Sequence, residues 1–415
     1  MIEAGIRCKR TPASNQGVLA VNKNPVAVTT LRTCKKSFKY RIYPTKPQTK
    51  TLEDWLEFSR ELYNAGLEER KGAWKQKVSI SFRKQSDQLP EVKKIRPELK
   101  EVHSQVLQQV LHRLDNAFQS FFRRVKNGEK PGYPRFKSRN HFNSLVYPQE
   151  PGFHLVSKKR LYLSGIGEIK IKLHRPIEGK PKTCSIKRNP AGHWYASFSC
   201  DQVPVEEFPE AFGEVGIDPG LKVFATISDG KNEEKIENPR WFRKSEKRLT
   251  QAQRELESKK RSSKNREKAK LKVTKIHEKI TRQRDDFQHK EAHKIVTKYG
   301  SIAVEDTNNG NLIKNSSREI SKSFQDAAQS RFRLILSYKA ENAGRRFAKT
   351  PAPWSSSTCS RCLYRLSEKL PLEERTFHCP KCEFMLDRDA NAARNHLRAG
   401  QALWNSKGFQ EAAGL

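Results

Sequence analysis

Two cysteine pairs, Cys359-x2-Cys362 and Cys379-x2-Cys382, constrain this chain more tightly than anything else in it. Each pair has the spacing of one tight turn, and two such turns can set four thiolates around one ion at about 2.3 Å. A shell of four sulfurs leaves no coordination position open. The ion would therefore be one structural Zn²⁺ held by Cys359, Cys362, Cys379 and Cys382, not a catalytic one. A pair of disulfides is the rival reading and needs an oxidising compartment. The chain shows no secretory apolar segment, and no apolar run nears the ~18 residues that suggest a membrane helix, so a cytosolic setting with reduced thiols is expected. Cys8, Cys34, Cys184 and Cys200 lack metal spacing and read as ordinary thiols.

Directly after the second cysteine pair, Asp387-Arg388-Asp389-Ala390-Asn391-Ala392-Ala393 opens an Ala-rich helix with two acids. Two earlier segments also end on an acid. Val215-Gly216-Ile217-Asp218-Pro219-Gly220 reads as a buried strand followed by a sharp turn, and Ser301-Ile302-Ala303-Val304-Glu305 as a short apolar strand. Asp306 points to the opposite face from Glu305 if that strand continues. Taken singly, Asp218 could be a turn acid and Asp389 a helix cap. Of Asp387 and Asp389, one is expected to cap the helix and the other to bind metal. Jointly, Asp218, Glu305 and Asp389 sit on the ends of rigid elements and can converge on divalent cations, as phosphodiester cleavage by two metals requires.

The charge balance points the same way. The chain has 82 basic and 46 acidic residues, a formal net charge of +36. Such an excess calls for a polyanionic partner, and nucleic acid is the natural one. Residues 240–298 read as helical and intensely basic. Acids at i,i+4 make part of this stretch a salt-bridged surface, and the remaining positive charge is read as facing a nucleic-acid backbone. His277, His289 and His293 in it read as surface residues. Between Gly128 and Arg139, Pro131 and Pro134 exclude a helix, and Tyr133, Arg135, Phe136 and Lys137 interleave rings with charges. Such a loop can stack on bases while pairing with phosphates. The alternative is a solvated loop whose rings plug a core.

Order is expected from residue 36. Phe38, Tyr40 and Ile42 alternate with Lys39 and Arg41, giving a strand with one buried and one basic face. Two helices follow, one through Leu52, Trp55, Leu56, Leu62, Tyr63 and Leu67, the other from Val106 to Val125 with a wide apolar face. Residues 75–100 between them read as a loop or broken helix. Short strands fill 144–200, with a hairpin turn at Asn189-Pro190-Ala191-Gly192. The Phe38 strand is expected to join them and close a small barrel, a shape that often binds oligonucleotides. An acidic linker follows, and a second domain opens near Gly213. Strand, hairpin at Asp229-Gly230, strand, basic helices and the Glu305 strand follow in an order that suits an α/β domain of the ribonuclease-H type. After the loop Asp306–Asn311, one helix is expected through Phe324, Phe332, Ile335, Leu336 and Tyr338 to Gly344. Arg345–Lys349 then returns to the sheet.

Taken together, these segments resemble the TnpB family, the RuvC-like nucleases of insertion sequences related to compact type V CRISPR effectors. The resemblance spans about residues 36–397. It rests on Phe38-Lys39-Tyr40-Arg41-Ile42-Tyr43-Pro44, Gly132-Tyr133-Pro134-Arg135-Phe136-Lys137, Gly216-Ile217-Asp218-Pro219-Gly220, Val304-Glu305-Asp306, the four cysteines, and Asp387-Arg388-Asp389-Ala390-Asn391-Ala392-Ala393-Arg394-Asn395. Trp354-Ser355-Ser356-Ser357-Thr358 replaces the family's Thr-Ser-Gln-type run before the first cysteine pair.

Residues 1–35, with scattered basics and no sustained period, read as a flexible extension. The resemblance implies a multidomain α/β architecture after it: an N-terminal β-barrel (36–205) with an inserted helical domain (about 46–127), and a linker (206–212). An RNase H-like RuvC domain (213–354 and 385–398) would follow, interrupted by a zinc ribbon (355–384) and closed by a tail (399–415). It implies an RNA-guided DNA endonuclease in the prokaryotic cytoplasm, associated with the nucleoid. Asp218, Glu305 and Asp389 would be its catalytic acids, holding two Mg²⁺, and its partners would be a transposon-derived guide RNA and target double-stranded DNA, with no membrane. Lys39, Arg41, Tyr133, Arg135, Phe136 and Lys137 are the candidate nucleic-acid contacts. The rival readings are a guide-independent transposase or nuclease and a non-cleaving RNA-guided repressor.

Overall fold

The computed structural model of the chain describes residues 33–205, 208–307, 317–371 and 373–406. Residues 1–32, 206–207, 308–316, 372 and 407–415 lie outside the described residues, and with them most of the expected extension, part of the expected linker and tail, and most of the expected Asp306–Asn311 loop. The chain divides into two compact units, Met1–Pro204 and Val205–Leu415.

In the first unit, strand β1 (Thr33–Tyr43) begins a little earlier than the sequence suggests, and Cys34 is already buried in it. Phe38, Tyr40 and Ile42 face the core, and Lys39 on the other face is exposed. β1 pairs antiparallel with β5 (Gly167–Lys172) on one side and β7 (Trp194–Pro204) on the other. The seven-stranded sheet continues through β6 (Lys180–Arg188) to β2 (Ser144–Tyr147) at one end, and through β4 (Arg160–Leu163) to β3 (Phe153–Ser157) at the other. It curls until Tyr147 Oη, at the tip of β2, donates to the Ser164 carbonyl just past β4 at 3.1 Å. The expected barrel is therefore a nearly closed sheet: among the described residues no ladder joins β2 to β3. β2 has only four residues, and the chain turns back at once, with Gly152 N–H donating to Gln149 O.

Four helices are inserted between β1 and β2. α1 (Lys46–Lys75) starts at a capping box, Thr45 and Gln48 exchanging side-chain and backbone bonds, with Pro47 in the first turn. α4 (Ser104–Lys126) lays Val106, Leu107, Val110, Leu111 and Leu114 against it. The intervening stretch is the broken helix the sequence allowed, α2 (Phe82–Asp87) and α3 (Leu89–Ile95). The apolar face of α4 outruns its partner, and Phe122 and Val125 are half exposed.

The second unit is built on a five-stranded sheet in the order β10 (Glu233–Glu237), β9 (Val223–Ser228), β8 (Gly213–Pro219), β11 (Tyr299–Glu305), β12 (Arg346–Thr350). The first three strands form an antiparallel meander, and β11 runs parallel to both β8 and β12. A parallel connection needs a crossover, and two long basic helices, α5 (Trp241–Glu257) and α6 (Lys264–Lys298), supply it between β10 and β11. The helix expected through Phe324 and Phe332 is two helices, α7 (Arg318–Ala327) and α8 (Gln329–Asn342). They break at Ala328, whose φ of 49° is left-handed. Gln288 of α6 holds the break, its Nε2 donating to the Ala327 and Ala328 carbonyls at 2.8 and 3.3 Å.

The period of two in β8 and β11 sorts their side chains onto two faces. Val215, Ile217, Ile302 and Val304 enter a core with Ala292, Ile295 and Val296 of α6 and Phe332, Ile335 and Leu336 of α8. Gly216 and Ala303 face the other way and carry the last helix, α9 (Arg388–Asn405). A Cβ at Gly216 would stand 2.0 Å from the Ala393 carbonyl oxygen, and one at Gly400 would stand 2.5 Å from the Ala303 Cβ. Only glycine permits contact this close at both ends of the crossing. α9 also continues past 398, where the sequence suggests a tail. Trp404 explains this, because its ring is buried against Ala303, Ala348 and Leu397.

Candidate metal centre

The alternation that puts Gly216 and Ala303 under α9 puts Asp218 and Glu305, two residues on, on the same face. β8 and β11 are parallel with Val304 opposite Ile217, and Glu305 is opposite Thr350 of β12. Asp218, Glu305 and Thr350 thus form a row across three adjacent strands. Both carboxylates are largely covered, with side chains 15% exposed. Burial, then the negative charge of Glu305 beside it, pushes Asp218 well above the ordinary carboxylate range; Asp389 adds to this and Arg388 opposes it. A carboxylate pair under such strain is relieved by a bound cation.

His396 completes the cluster. It lies in α9 with its side chain 1% exposed, its Nε2 3.8 Å from Asp218 Oδ1 and 4.0 Å from Glu305 Oε2. Ligand atoms of Asp218, Glu305 and His396 all fall within 4.8 Å of one another, so the three could hold a metal ion. Burial drives the imidazole down to about 4, which keeps it neutral. The sequence reading missed His396. The available signal was its spacing: seven residues after Asp389, it lies two turns along the same helix face.

The two acids at the head of α9 have separate surroundings. Asp387 is the N-cap: its Oδ1 accepts from Asp389 N–H (3.0 Å) and Ala390 N–H (3.1 Å), while its Oδ2 pairs with Lys235 at 2.7 Å. Asp389 lies in the first turn, close enough to raise Asp218 electrostatically, with Arg375 3.6 Å from its Oδ2. It stands outside the tight Asp218–Glu305–His396 group. Asp306 faces away and pairs with Lys349 at 3.8 Å.

The four cysteines form a second cluster. Cys359 Sγ is 3.7 Å from Cys382 Sγ, and Cys362 Sγ is 3.5 Å from Cys379 Sγ. Thiolates placed tetrahedrally at about 2.3 Å from one ion stand roughly 3.7–3.8 Å apart, so these spacings fit a shared metal. Burial opposes the Cys379 thiolate, but the backbone N–H groups of Cys382 and Lys381 together with the Cys362 and Cys382 thiols bring it down to about 7. The strands β13 (Thr376–His378) and β14 (Met385–Asp387) lead from the cysteines directly into α9.

Two asparagines of α9 tie the cysteine turns to the helix. Asn391, fully buried, accepts from Ser360 N–H at 2.9 Å and donates to the Thr358 carbonyl at 2.8 Å. Asn395, one turn on, donates to the Ser355 and Thr358 carbonyls. The Trp354 run replaces the Thr-Ser-Gln segment with a ring against which Arg365 and Lys369 lie, at 4.4 and 5.6 Å.

The candidate nucleic-acid residues all lie in the first unit. Lys39 stands over the Tyr195 ring and Arg41 over Tyr43, on the outer face of β1. The proline loop is pinned by Asn64 of α1, which accepts from Lys137 N–H at 2.8 Å and donates to its carbonyl at 3.0 Å. Tyr133 and Phe136 remain 44% and 49% exposed, the Tyr133 ring stands edge-on to Phe118 and Phe121 of α4, and Arg135 is exposed. In the second unit, Trp241, Lys244, Arg248, Lys272, Lys275 and Lys279 line a cleft of about 320 Å³ between α5 and α6. Lys272 of this cleft pairs with Glu255, and elsewhere on α6 charges pair internally at Lys290–Asp286 and Lys294–Glu291. No helix among the described residues is long and apolar enough to cross a membrane.

Largely buried acids at strand ends, facing a helix to which a four-cysteine cluster is bonded, define a class: α/β proteins with two separate clusters that could each hold a metal ion. Comparison with known proteins narrows it. A family described as a probable transposase, IS605 OrfB, matches residues 197–316, and the Cas12f1-like TNB domain matches 330–396. A helix-turn-helix model matches 34–78, where this chain forms β1 and α1. A Streptomyces pristinaespiralis protein provisionally named an RNA-guided DNA endonuclease is 36% identical over 375 residues, covering 89% of this chain and 90% of that protein. InsQ of Escherichia coli K12, named in the same way, is 30% identical over 320 residues, covering 74% and 76%. A solved mini-RNA-guided endonuclease, CRISPR-Cas_phi3, aligns over 88% of this chain and 92% of its own at 10% identity and a TM-score of 0.48. The chain belongs to the TnpB family of IS605-type transposon proteins.

Proposed function

We propose that the protein is an RNA-guided DNA endonuclease of a transposable element. The observation that carries this is the placing of Asp218 and Glu305 on adjacent parallel strands beneath α9, in a chain with two relatives of that name, matched over 89% and 74% of its length. The sheet order and the crossover helices support reading the second unit as an RNase H-like, RuvC-like domain with the cysteine segment as an inserted zinc ribbon. The nearly closed sheet with its helices would be the wedge-like RNA- and duplex-holding part. The protein would act in the cytoplasm, at the nucleoid.

The residues fit divalent cations. Asp218 and Glu305 converge on one position, and Asp389 lies close enough to Asp218 for the two charges to interact. We assign Asp218, Glu305 and Asp389 as catalytic acids holding Mg²⁺, with two ions as the working number. Bound there, the ions would supply Lewis-acid stabilisation of charge on the scissile phosphodiester. The protein's own part is to hold the acids: Asp387 caps the helix and orients Asp389, and the Gly216 contact sets the height of α9 over Asp218. Cys359, Cys362, Cys379 and Cys382 would hold structural Zn²⁺. Lys39, Arg41, Tyr133, Arg135, Phe136 and Lys137, with the α5–α6 cleft, would hold nucleic-acid backbone and bases, while guide pairing supplies sequence choice.

The test is to sequence the RNA that co-purifies with the protein expressed beside its native flanking DNA. One discrete species with a fixed scaffold and a variable end supports the guided reading. A smear of host RNA, lost in moderate salt, would leave a guide-independent nuclease as the better account.

A further inference from the structure

The imidazole of His396 is the one component of the carboxylate cluster to which the proposed reaction gives no task. Its Nδ1 is 2.8 Å from Thr350 Oγ1, and that hydroxyl also lies 3.2 Å from the Val304 carbonyl oxygen. A hydroxyl has one proton, and a carbonyl can only accept. Both contacts are therefore attractive in one arrangement alone: Thr350 donates to Val304 O and accepts from His396 Nδ1–H. In the neutral ring the lone pair is then on Nε2. That atom is enclosed, has no hydrogen-bond partner among the described residues, and faces Asp218 and Glu305. A buried ring nitrogen that faces two carboxylates without a hydrogen bond calls for a cation between them, a proton or a metal ion.

We propose that His396 is a nitrogen ligand of the cation held by Asp218 and Glu305, with Thr350 as the positioning residue that fixes its tautomer. The inference rests on the reading of the two acids as a cation site. The distances allow it: atoms sharing one ion at about 2.1 Å stand roughly 3–4.2 Å apart. A second-shell partner on the distal ring nitrogen is the usual way such a ligand is oriented. An all-oxygen site favours Mg²⁺, whereas one imidazole favours first-row transition ions, so this site should prefer Mn²⁺ to Mg²⁺.

The test uses zinc-loaded, full-length protein labelled with ¹⁵N-histidine, titrated with Mn²⁺ and read by pulsed EPR, which detects nitrogen bonded to the ion. The expected result is an ¹⁵N coupling that His396→Gln abolishes, with Mn²⁺ affinity falling about tenfold or more and Mg²⁺ affinity changing less. Thr350→Val, which keeps the side chain's shape, should weaken Mn²⁺ binding without removing the coupling, and it serves if His396→Gln fails to fold. Mn²⁺ bound in a manner abolished by Asp218→Asn but with no nitrogen coupling would overturn the role of His396 and leave the acid site standing. No binding sensitive to Asp218→Asn would overturn the acid site itself, and this inference with it.

Discussion

Asn391 accepts a 2.9 Å hydrogen bond from the backbone N–H of Ser360, inside the first cysteine turn. The helix that carries Asp389 and His396 is thereby fastened to the four-cysteine cluster. Asn395 repeats the grip on the Ser355 and Thr358 carbonyls, so the bond is part of a two-point clamp. The position of the carboxylate cluster is mechanically tied to the integrity of the cysteine cluster.

Asn391→Ala leaves the Ser360 N–H buried without a partner, at a cost of about 1–3 kcal/mol. The variant should keep its zinc, since no sulfur is touched, yet unfold at lower temperature and cleave poorly. Zinc content by mass spectrometry beside a melting curve checks this. Loss of zinc in step with stability would contradict the separation.

Cys379→Ser should remove the zinc and with it the anchor of α9. Because the metal-ligand energy is part of the folding energy, chelation of the wild type should lower the melting temperature as the substitution does, and added zinc should restore only the wild type. One zinc per chain is expected. Resistance of the wild type to a strong chelator together with full stability of Cys379→Ser would refute a structural role.

Asp218→Asn should stabilise the zinc-loaded protein free of Mg²⁺ and Mn²⁺ at neutral pH while abolishing cleavage. The folded-state pKa of Asp218 is raised by burial and by Glu305, so the folded chain binds this proton more tightly than the unfolded chain. That contribution is fully present below the unfolded pKa of about 3.9 and is lost as pH rises through the folded value. The advantage of Asp218→Asn should therefore be near zero in acid and grow toward neutrality, each 1 kcal/mol reading as about 2–4 °C. Melting curves of zinc-loaded protein without added Mg²⁺ or Mn²⁺, from acid to neutral pH, decide it. A variant less stable than wild type at neutral pH would contradict the account.

Gly216→Ala would drive a Cβ into the Ala393 carbonyl oxygen, so α9 must shift. A cost of about 1–3 kcal/mol or more is expected, with loss of cleavage although no acid has changed. Thermal melts of the purified variant check the cost.

Much of this was legible beforehand for a physical reason. Period-two alternation marked β1, and the strand ends at Asp218 and Glu305 marked two members of the carboxylate cluster, because a rigid terminus and a polar residue leave a local signature. The cysteine spacing did so even more strongly. The break at Ala328 left none: a left-handed alanine is dictated by Gln288, which lies far off in sequence. His396 and Asn391 were hidden likewise, since a buried polar residue in an Ala-rich helix reads as unremarkable until its partners come together. The helix beyond residue 398 was missed because Trp404 finds its core only on β11 and β12.

Arg135→Ala and Lys39→Ala should weaken RNA binding almost uniformly across sequences. Each should reduce the slope of log K against log salt by about 1, as loss of a phosphate contact requires. Tyr133→Ala should weaken binding with little change in slope, because stacking releases no counterions. Filter binding over a salt series separates the two.

The central claim is tested most directly by changing the guide. The protein is purified with its co-expressed RNA, the variable end of that RNA is rewritten, and matched and unmatched linear DNA are offered with Mg²⁺. The account predicts cleavage that follows the rewritten sequence and vanishes in Asp218→Ala, Glu305→Ala and Asp389→Ala, with RNA binding intact in each. Cleavage that ignores the guide, or that survives loss of Asp218, would contradict it.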